Sequence, residues 1–257
     1  MMNNRETVIL IGASLLVAGM LFFLLFEIKE VPDLQWKENY AYSSKQPFGT
    51  WVFHQMLKER FSEIPVLTNQ IDTNLASIES DKVLYLMISD QVSYGDSNTT
   101  ALMDFVRKGN DALLITTDLL LGVDDEPYSF YWREFADTTI TVHYVNTDVA
   151  FTYTHYEDDF FKAKSKFFTA FSGELSQDLD HEALGTVADS LIFYDQWNLG
   201  KGHLMVHTVP EMFCNQAAVQ DQYREHFNFL FSTFDPELVI LDHMNYHAES
   251  DLSESPL

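Results

Sequence analysis

The chain of 257 residues carries 15 Lys and Arg against 39 Asp and Glu, a formal net charge of −24, and is 46% hydrophobic and 14% aromatic. Such a chain is too apolar to be disordered and must bury a core, as one large domain or two small ones. The charge argues against a nucleic-acid surface, which needs clustered cations, and suits basic or cationic partners. The single cysteine, Cys214, rules out an internal disulfide and zinc sites built on several cysteines.

The strongest local signal comes first in the chain. From Val8 to Phe26 the sequence is VILIGASLLVAGMLFFLLF, with Ser14 its only polar side chain. As a helix it covers roughly 30 Å, the hydrocarbon thickness of a bilayer. A cleaved signal peptide has an apolar core of only about 7 to 15 residues before a small-residue cleavage site. This run is longer and ends in Phe26, Glu27 and Ile28, so an uncleaved anchor is expected. The amino terminus and Arg5 lie before the span, partly offset by Glu6, and Lys29 and Lys37 lie after it among Glu27, Glu30, Asp33 and Glu38. Acidic residues count little, so the bias is slight, and it is read as a cytoplasmic tail with the acidic bulk outside. The expected division is residues 1–30 for tail and anchor, 31–247 for an α/β domain, and 248–257 for an acidic, Ser-rich disordered tail.

Pro47 is expected to open a helix with Phe48, Trp51, Val52, Met56 and Leu57 near one face. Ile64 to Leu67 reads as a strand, and Val83 to Ser89 as one buried on both faces, since its apolarity is continuous rather than alternating. Ser97 or Asn98 is expected to cap a helix with Leu102, Phe105 and Val106 inward and Gly109 as its stop. Ala112 to Thr116 gives another buried strand. Strand, helix, strand at this spacing is a βαβ unit in a parallel sheet. Tyr128 to Phe135 is read as a helix, Thr139 to Val145 as a strand and Val149 to Tyr156 as its partner. Ser190 to Tyr194 and Leu204 to Thr208, around Gly200-Lys201-Gly202, read as a hairpin. A helix bearing Tyr223, Phe227, Leu230, Phe231 and Phe234 ends before Pro236, and Val239 to Leu241 is a last strand. The expected fold is therefore α/β, a flavodoxin-like or class I glutamine amidotransferase-like, mostly parallel sheet with flanking helices behind an N-terminal transmembrane helix.

Such a sheet places its ligand beyond the carboxyl ends of its strands. Ser89, Asp90, Thr117 and Asp118 are therefore the candidate binding residues. No catalytic residue is assigned: no G-x-S-x-G, Walker loop or G-x-G-x-x-G occurs, and Cys214 has no neighbouring His or cation to make a thiolate, so it reads as a buried inert thiol. His203 and His207 on a strand lie roughly 13 Å apart, too far for one ion. Two further clusters, Asp242 with His243 and His247, and Asp178 with Asp180, His181 and Glu182, arise readily in so acidic a chain, and neither a metal nor a cofactor is expected. The aromatic runs Phe130-Tyr131-Trp132, Phe160-Phe161 and Phe167-Phe168 are read as packed under a small second layer, or as facing a partner or the membrane surface.

Three segments together resemble a known family: Pro47-Phe48-Gly49-Thr50, then Phe105-Val106-Arg107-Lys108-Gly109-Asn110 leading into Ala112 to Thr116, then Gly200-Lys201-Gly202-His203 leading through Pro210 to Phe213 and Asn215. Over about residues 35 to 245 they look like domain of unknown function 4350, a bacterial membrane-associated family. The resemblance implies a glutamine amidotransferase-like domain without the catalytic cysteine, gene neighbours such as MoxR-type AAA ATPases, and a second membrane helix where this sequence reaches Ser255-Pro256-Leu257. The expected function is a membrane-anchored, non-catalytic α/β domain, a binding or accessory component of an envelope-associated complex. Its partners would be the membrane, through Val8 to Phe26, and other membrane or envelope proteins, with no nucleic acid. Its place would be the bacterial inner membrane, single-pass in this chain, with a periplasmic domain. The rivals are a hydrolase with an unrecognised carboxylate or histidine pair, and a small-ligand or glycan receptor.

Overall fold

The computed structural model describes residues 34–35, 38–68, 71–122, 129–134, 139–145, 147–148, 150–154, 166–172, 181–187, 191–232, 234 and 236–243. The apolar run Val8 to Phe26, the acidic tail and the Phe160-Phe161 pair lie outside the described residues. Among the described residues no helix is long and apolar enough to cross a membrane. The elements all fall in the unit that begins at Gln35.

The elements in chain order are α1 (Trp51–Arg60), β1 (Val66–Leu67), α2 (Ile71–Ala76), β2 (Val83–Ile88), β3 (Gln91–Tyr94), α3 (Asp96–Arg107), β4 (Asp111–Ile115), β5 (Asp118–Leu121), β6 (Ser129–Glu134), β7 (Thr139–Tyr144) and β8 (Ala150–Thr154). They continue with β9 (Lys166–Ser172), β10 (His181–Val187), β11 (Leu191–Leu199), β12 (Gly202–His207), α4 (Tyr223–Ser232) and β13 (Leu238–Asp242). A nine-stranded sheet runs in the order β1-β13-β2-β4-β12-β11-β10-β7-β8. Its first five strands are parallel neighbours and its last four turn antiparallel. The protein is thus a mixed α/β fold with a large central sheet. The expected mostly parallel sheet is corrected: the β11–β12 hairpin reverses direction, and β10, β7 and β8 extend it as an antiparallel wing.

Period-two alternation explains the layers. Leu84, Leu86 and Ile88 of β2 and Leu113 and Ile115 of β4 join Phe53 and Leu57 of α1 and Leu230 and Phe231 of α4 in one core. Val83, Tyr85 and Met87, with Ala112 and Leu114, face Ile71 and Leu75 of α2 and Leu102, Phe105 and Val106 of α3 in the other. Successive side chains on a strand point to opposite faces, so a strand covered on both sides must be apolar throughout.

Several local expectations change. The segment from Pro47 forms a turn, and α1 starts only at Trp51, because the Pro47 and Gly49 carbonyls accept from Gln216 N–H and Asn215 N–H (2.9 and 2.8 Å). Gly95, not Ser97 or Asn98, is the N-cap of α3; the Ser97 hydroxyl donates to Asp72 Oδ2 instead (3.1 Å). Gly109 stops α3 with φ of +117°, a conformation suited to glycine. The Asn110 amide then joins three pieces of chain, donating to Phe105 O (3.2 Å) while accepting from Val83 N–H (3.0 Å). Residues read as a helix between Tyr128 and Phe135 form strand β6, paired antiparallel with β9 so that Phe130 opposes Phe171 and Trp132 opposes Phe168. Aromatic residues favour pleated pairing over an isolated helix.

Phe105 is 1% exposed and meets Tyr85 edge-on. Truncation to alanine is expected to cost about 3 to 5 kcal/mol in urea unfolding, the usual range for a buried Phe that leaves a cavity. A loss below about 1 kcal/mol would place Phe105 outside the core.

Candidate functional site at the strand ends

The carboxyl ends of β2 and β4 converge on one atom, the Asp90 carbonyl oxygen. It accepts from Thr117 Oγ1 (2.7 Å), lies 3.1 Å from Thr116 Oγ1, and accepts from Asp118 N–H (3.1 Å). Ser89 N–H donates to the Ile115 carbonyl (3.0 Å), and Ser89 Oγ lies 3.2 Å from Asp90 Oδ1. Ser89, Asp90, Thr117 and Asp118 are thereby brought together, the expected site residues on one edge. Ser89 and Thr117 are buried and Asp90 and Asp118 exposed. The hydroxyls serve the backbone, and the carboxylates face solvent.

Beyond β12 the chain makes a 3-10 turn, Pro210–Phe213. This turn carries Glu211, only 2% exposed, and leads to Cys214, fully buried. The Cys214 thiol lies 3.5 Å from the Phe48 carbonyl and 3.6 Å from that of Pro210. Burial first, then Glu211 and Glu38, push its pKa well up. It stays a thiol, an inert group as its sequence context implied. Tyr40 sits on the same Phe48 carbonyl through its N–H (2.9 Å). Its φ of +40° is unusual for a non-glycine residue. Its buried hydroxyl has no hydrogen-bond partner among the described residues, and burial, followed by Glu211 and Glu38, raises its pKa.

Asn215 ties this region to the amino-terminal part of the domain. Its Nδ2 donates to Ser44 O (2.8 Å) and Gln46 O (2.7 Å), and its Oδ1 accepts from Val52 N–H (2.9 Å). Thr50, the N-cap of α1, makes no side-chain capping bond. Asn215 therefore supplies the cap from across the fold, satisfying an N–H in the first turn.

The histidines are dispersed. His207 is fully buried between Phe193, Tyr194 and Phe213, with ring centroids 5.0, 5.5 and 4.9 Å away. Its Nδ1 accepts from Val209 N–H (3.2 Å), which leaves the proton on Nε2. His203 instead pairs with Asp111 Oδ1 at 2.8 Å, so the two strand histidines serve different neighbours. His226 Nε2 lies 2.6 Å from Tyr144 Oη. Asp242 accepts from Tyr94 Oη (2.9 Å) and also from Tyr85 Oη, while His243 meets Tyr42 edge to face. His247, Asp178 and Asp180 lie outside the described residues. Among those described, no three potential ligands gather as a metal site.

Sequence reasoning missed Tyr40, Glu211 and the capping role of Asn215. Their signal was faint: a buried Glu in Val-Pro-Glu-Met-Phe, and an asparagine whose partners lie 163 to 171 residues earlier.

The domain is a mixed α/β fold with a large central sheet, and exposed Asp90 and Asp118 follow two of its parallel strands. The pattern of the family described as "Domain of unknown function (DUF4350)" matches residues 42–233, and the chain belongs to that family. No curated protein matches. Among solved structures, the chain resembles the GH42 β-galactosidase Gan42B at 15% identity and a TM-score of 0.42, over 78% of this chain and 28% of that one. It also resembles the exo-β-1,4-mannosidase Op5Man5 from Opitutaceae bacterium strain TAV5, at 10% identity and a TM-score of 0.37, over 59% and 25%. A β-galactosidase from Bacillus circulans sp. alkalophilus gives 10% and 0.35, over 62% and 24%. The chain thus spans about a quarter of the length of these enzymes.

The buried titratable groups set a pH signature. Burial lowers His226 from 6.5 to about 4; burial, then Lys58, lowers His54 to about 4, and His207 falls well below 6.5. A histidine depressed in the folded state binds its proton more readily when unfolded. Its stabilising contribution is complete above the unfolded value and is lost as pH falls through the folded one. Asp195, raised by burial from 3.8 to about 6, acts oppositely: its cost is complete above about 6 and is relieved as pH falls toward 3.8. We expect His226→Gln to flatten the acid loss of stability between pH 6.5 and 4, by on the order of 3 kcal/mol. Asp195→Asn should steepen it. Urea unfolding across that range checks both, and three coincident pH profiles would sink the assignment.

Proposed function

We propose that the protein is a membrane-anchored, non-catalytic binding domain, an accessory component of an envelope-associated complex. Val8 to Phe26 forms its anchor in the bacterial inner membrane, and the α/β domain, flavodoxin-like or amidotransferase-like in its parallel half, lies in the periplasm. The observation that carries this reading is the frame around Asp90. Hydrogen bonds to its carbonyl use the Thr117 hydroxyl and the Asp118 amide, which leaves the Asp90 and Asp118 side chains as exposed carboxylates on a fixed edge. Preset like charges of this kind suit a cationic segment of a partner protein, because electrostatic complementarity governs encounter and selection. The family resemblance adds a MoxR-type AAA ATPase system as the class of complex.

A second reading, a hydrolase, draws on one pair: His181 Nδ1 stands 3.3 Å from Asp195 Oδ2, and Asp195 titrates near 6. Such a carboxylate and imidazole are the groups a general acid–base site needs.

The double variant Asp90→Asn, Asp118→Asn keeps shape and removes two charges. It is expected to melt as the wild type does while losing complementation and the co-purification of membrane partners from detergent extracts. Loss of a measurable turnover alongside would replace the binding reading with the hydrolase. The anchor is tested separately: the protein should resist carbonate extraction and keep its original amino terminus, and a mature terminus beyond Phe26 would defeat this part of the proposal.

A further inference from the structure

Residues 40–50 lie across the carboxyl edge of the parallel strands, where a sheet of this kind holds its ligand. At one end Tyr42 packs on His243, the first residue past β13 (centroids 4.9 Å). At the other, Phe48 covers the Cys214 thiol beyond β12 with its carbonyl. The segment is knit internally: Tyr40 N–H to Phe48 O (2.9 Å), Thr50 N–H to Ala41 O (2.9 Å), Ser44 N–H to Ala41 O (3.1 Å) and Thr50 Oγ1 to Tyr40 O (3.1 Å). Its polar attachments to the domain include the Asn215 side chain and the Asn215 and Gln216 N–H groups, which bond the carbonyls of Ser44, Gln46, Gly49 and Pro47. The closed position also carries two costs: the left-handed backbone of Tyr40 and its buried hydroxyl, for which the described residues offer no partner.

We propose that residues 40–50 are a strap that closes the strand-end crevice and opens as a unit while the rest of the domain stays folded. The internal bonds travel with the strap, so opening breaks the Asn215 and Gln216 bonds and the Cys214 contact and lifts Tyr40 and Phe48 off the core. Opening gives the Tyr40 hydroxyl access to water, which relieves the second cost, and uncovers Glu211 and Cys214. The inference stands independently of the binding role argued above, since it concerns how the crevice is filled.

Cys214 is the sole cysteine and reports opening directly. In the full chain, purified in mild detergent, maleimide labelling of Cys214 should be slow but only weakly dependent on urea. Asn215→Ala removes the two side-chain hydrogen bonds that hold Ser44 and Gln46 of the strap and should speed labelling by about ten- to a hundredfold, with a cooperative melt retained. Should that variant fail to fold, wild-type hydrogen exchange decides. The Asn215 and Gln216 amides, which donate to the strap carbonyls of Gly49 and Pro47, should exchange by openings of lower urea slope than those of Leu86 and Leu114. The strap is overturned if those amides, and labelling, follow the free energy and slope of global unfolding.

Discussion

Every backbone polar group of β2 must find its partner inside the protein, because all six of its side chains are buried and both faces are covered. Pairing with β13 on one side and β4 on the other meets that demand. Much else follows from it. The helices must present apolar faces, so Leu57 and Phe231 lie on one side and Leu75 and Phe105 on the other. Past the ends of β2 and β4 the chain bends into β3 and β5, whose own parallel pairing starts at Gln91 and Asp118 and takes up the Asp90 carbonyl.

At those ends the same demand organises the edge. The Asp90 carbonyl, just past β2, is met by groups following β4. The first turn of α1 is satisfied by Asn215, a residue that follows β12. One constraint, pairing buried main-chain groups, thus explains both the fixed acidic edge and the strap that crosses beside it. The placing of the exposed side chains at this edge therefore depends on backbone geometry.

Where the chemistry is local, the sequence is readable. The runs VLYLMI and ALLI, with Gly109 and Gly200-Lys201-Gly202 as punctuation, disclose β2, β4 and the β11–β12 hairpin because burial and turn geometry each leave a short-range mark. Ser89, Asp90, Thr117 and Asp118 could be grouped because strands joined by one helix become neighbours. The segment HEALGTV does not advertise a strand: it is one because β11 and β7 flank it, a tertiary pairing that overrides weak local preference. The insertion of β13 between β1 and β2 is likewise absent from any local pattern. Tyr40, Glu211 and Asn215 were hidden for the same reason, since their meaning lies in contacts between distant parts of the chain.

The interior and surface also divide the charge. Burial holds His54, His207 and His226 toward their neutral forms and keeps the Tyr40, Tyr85, Tyr94 and Tyr144 hydroxyls protonated. Those groups add nothing to the formal charge of −24 at pH 7. Fields from exposed carboxylates decay over about 8 Å at physiological salt, so the total charge steers an approaching cation only at short range. What distinguishes Asp90 and Asp118 from the other exposed acids is therefore position. The Thr117 hydroxyl and the Asp118 N–H hold the Asp90 carbonyl, so the backbone that carries these two carboxylates is tied down where a free loop would not be.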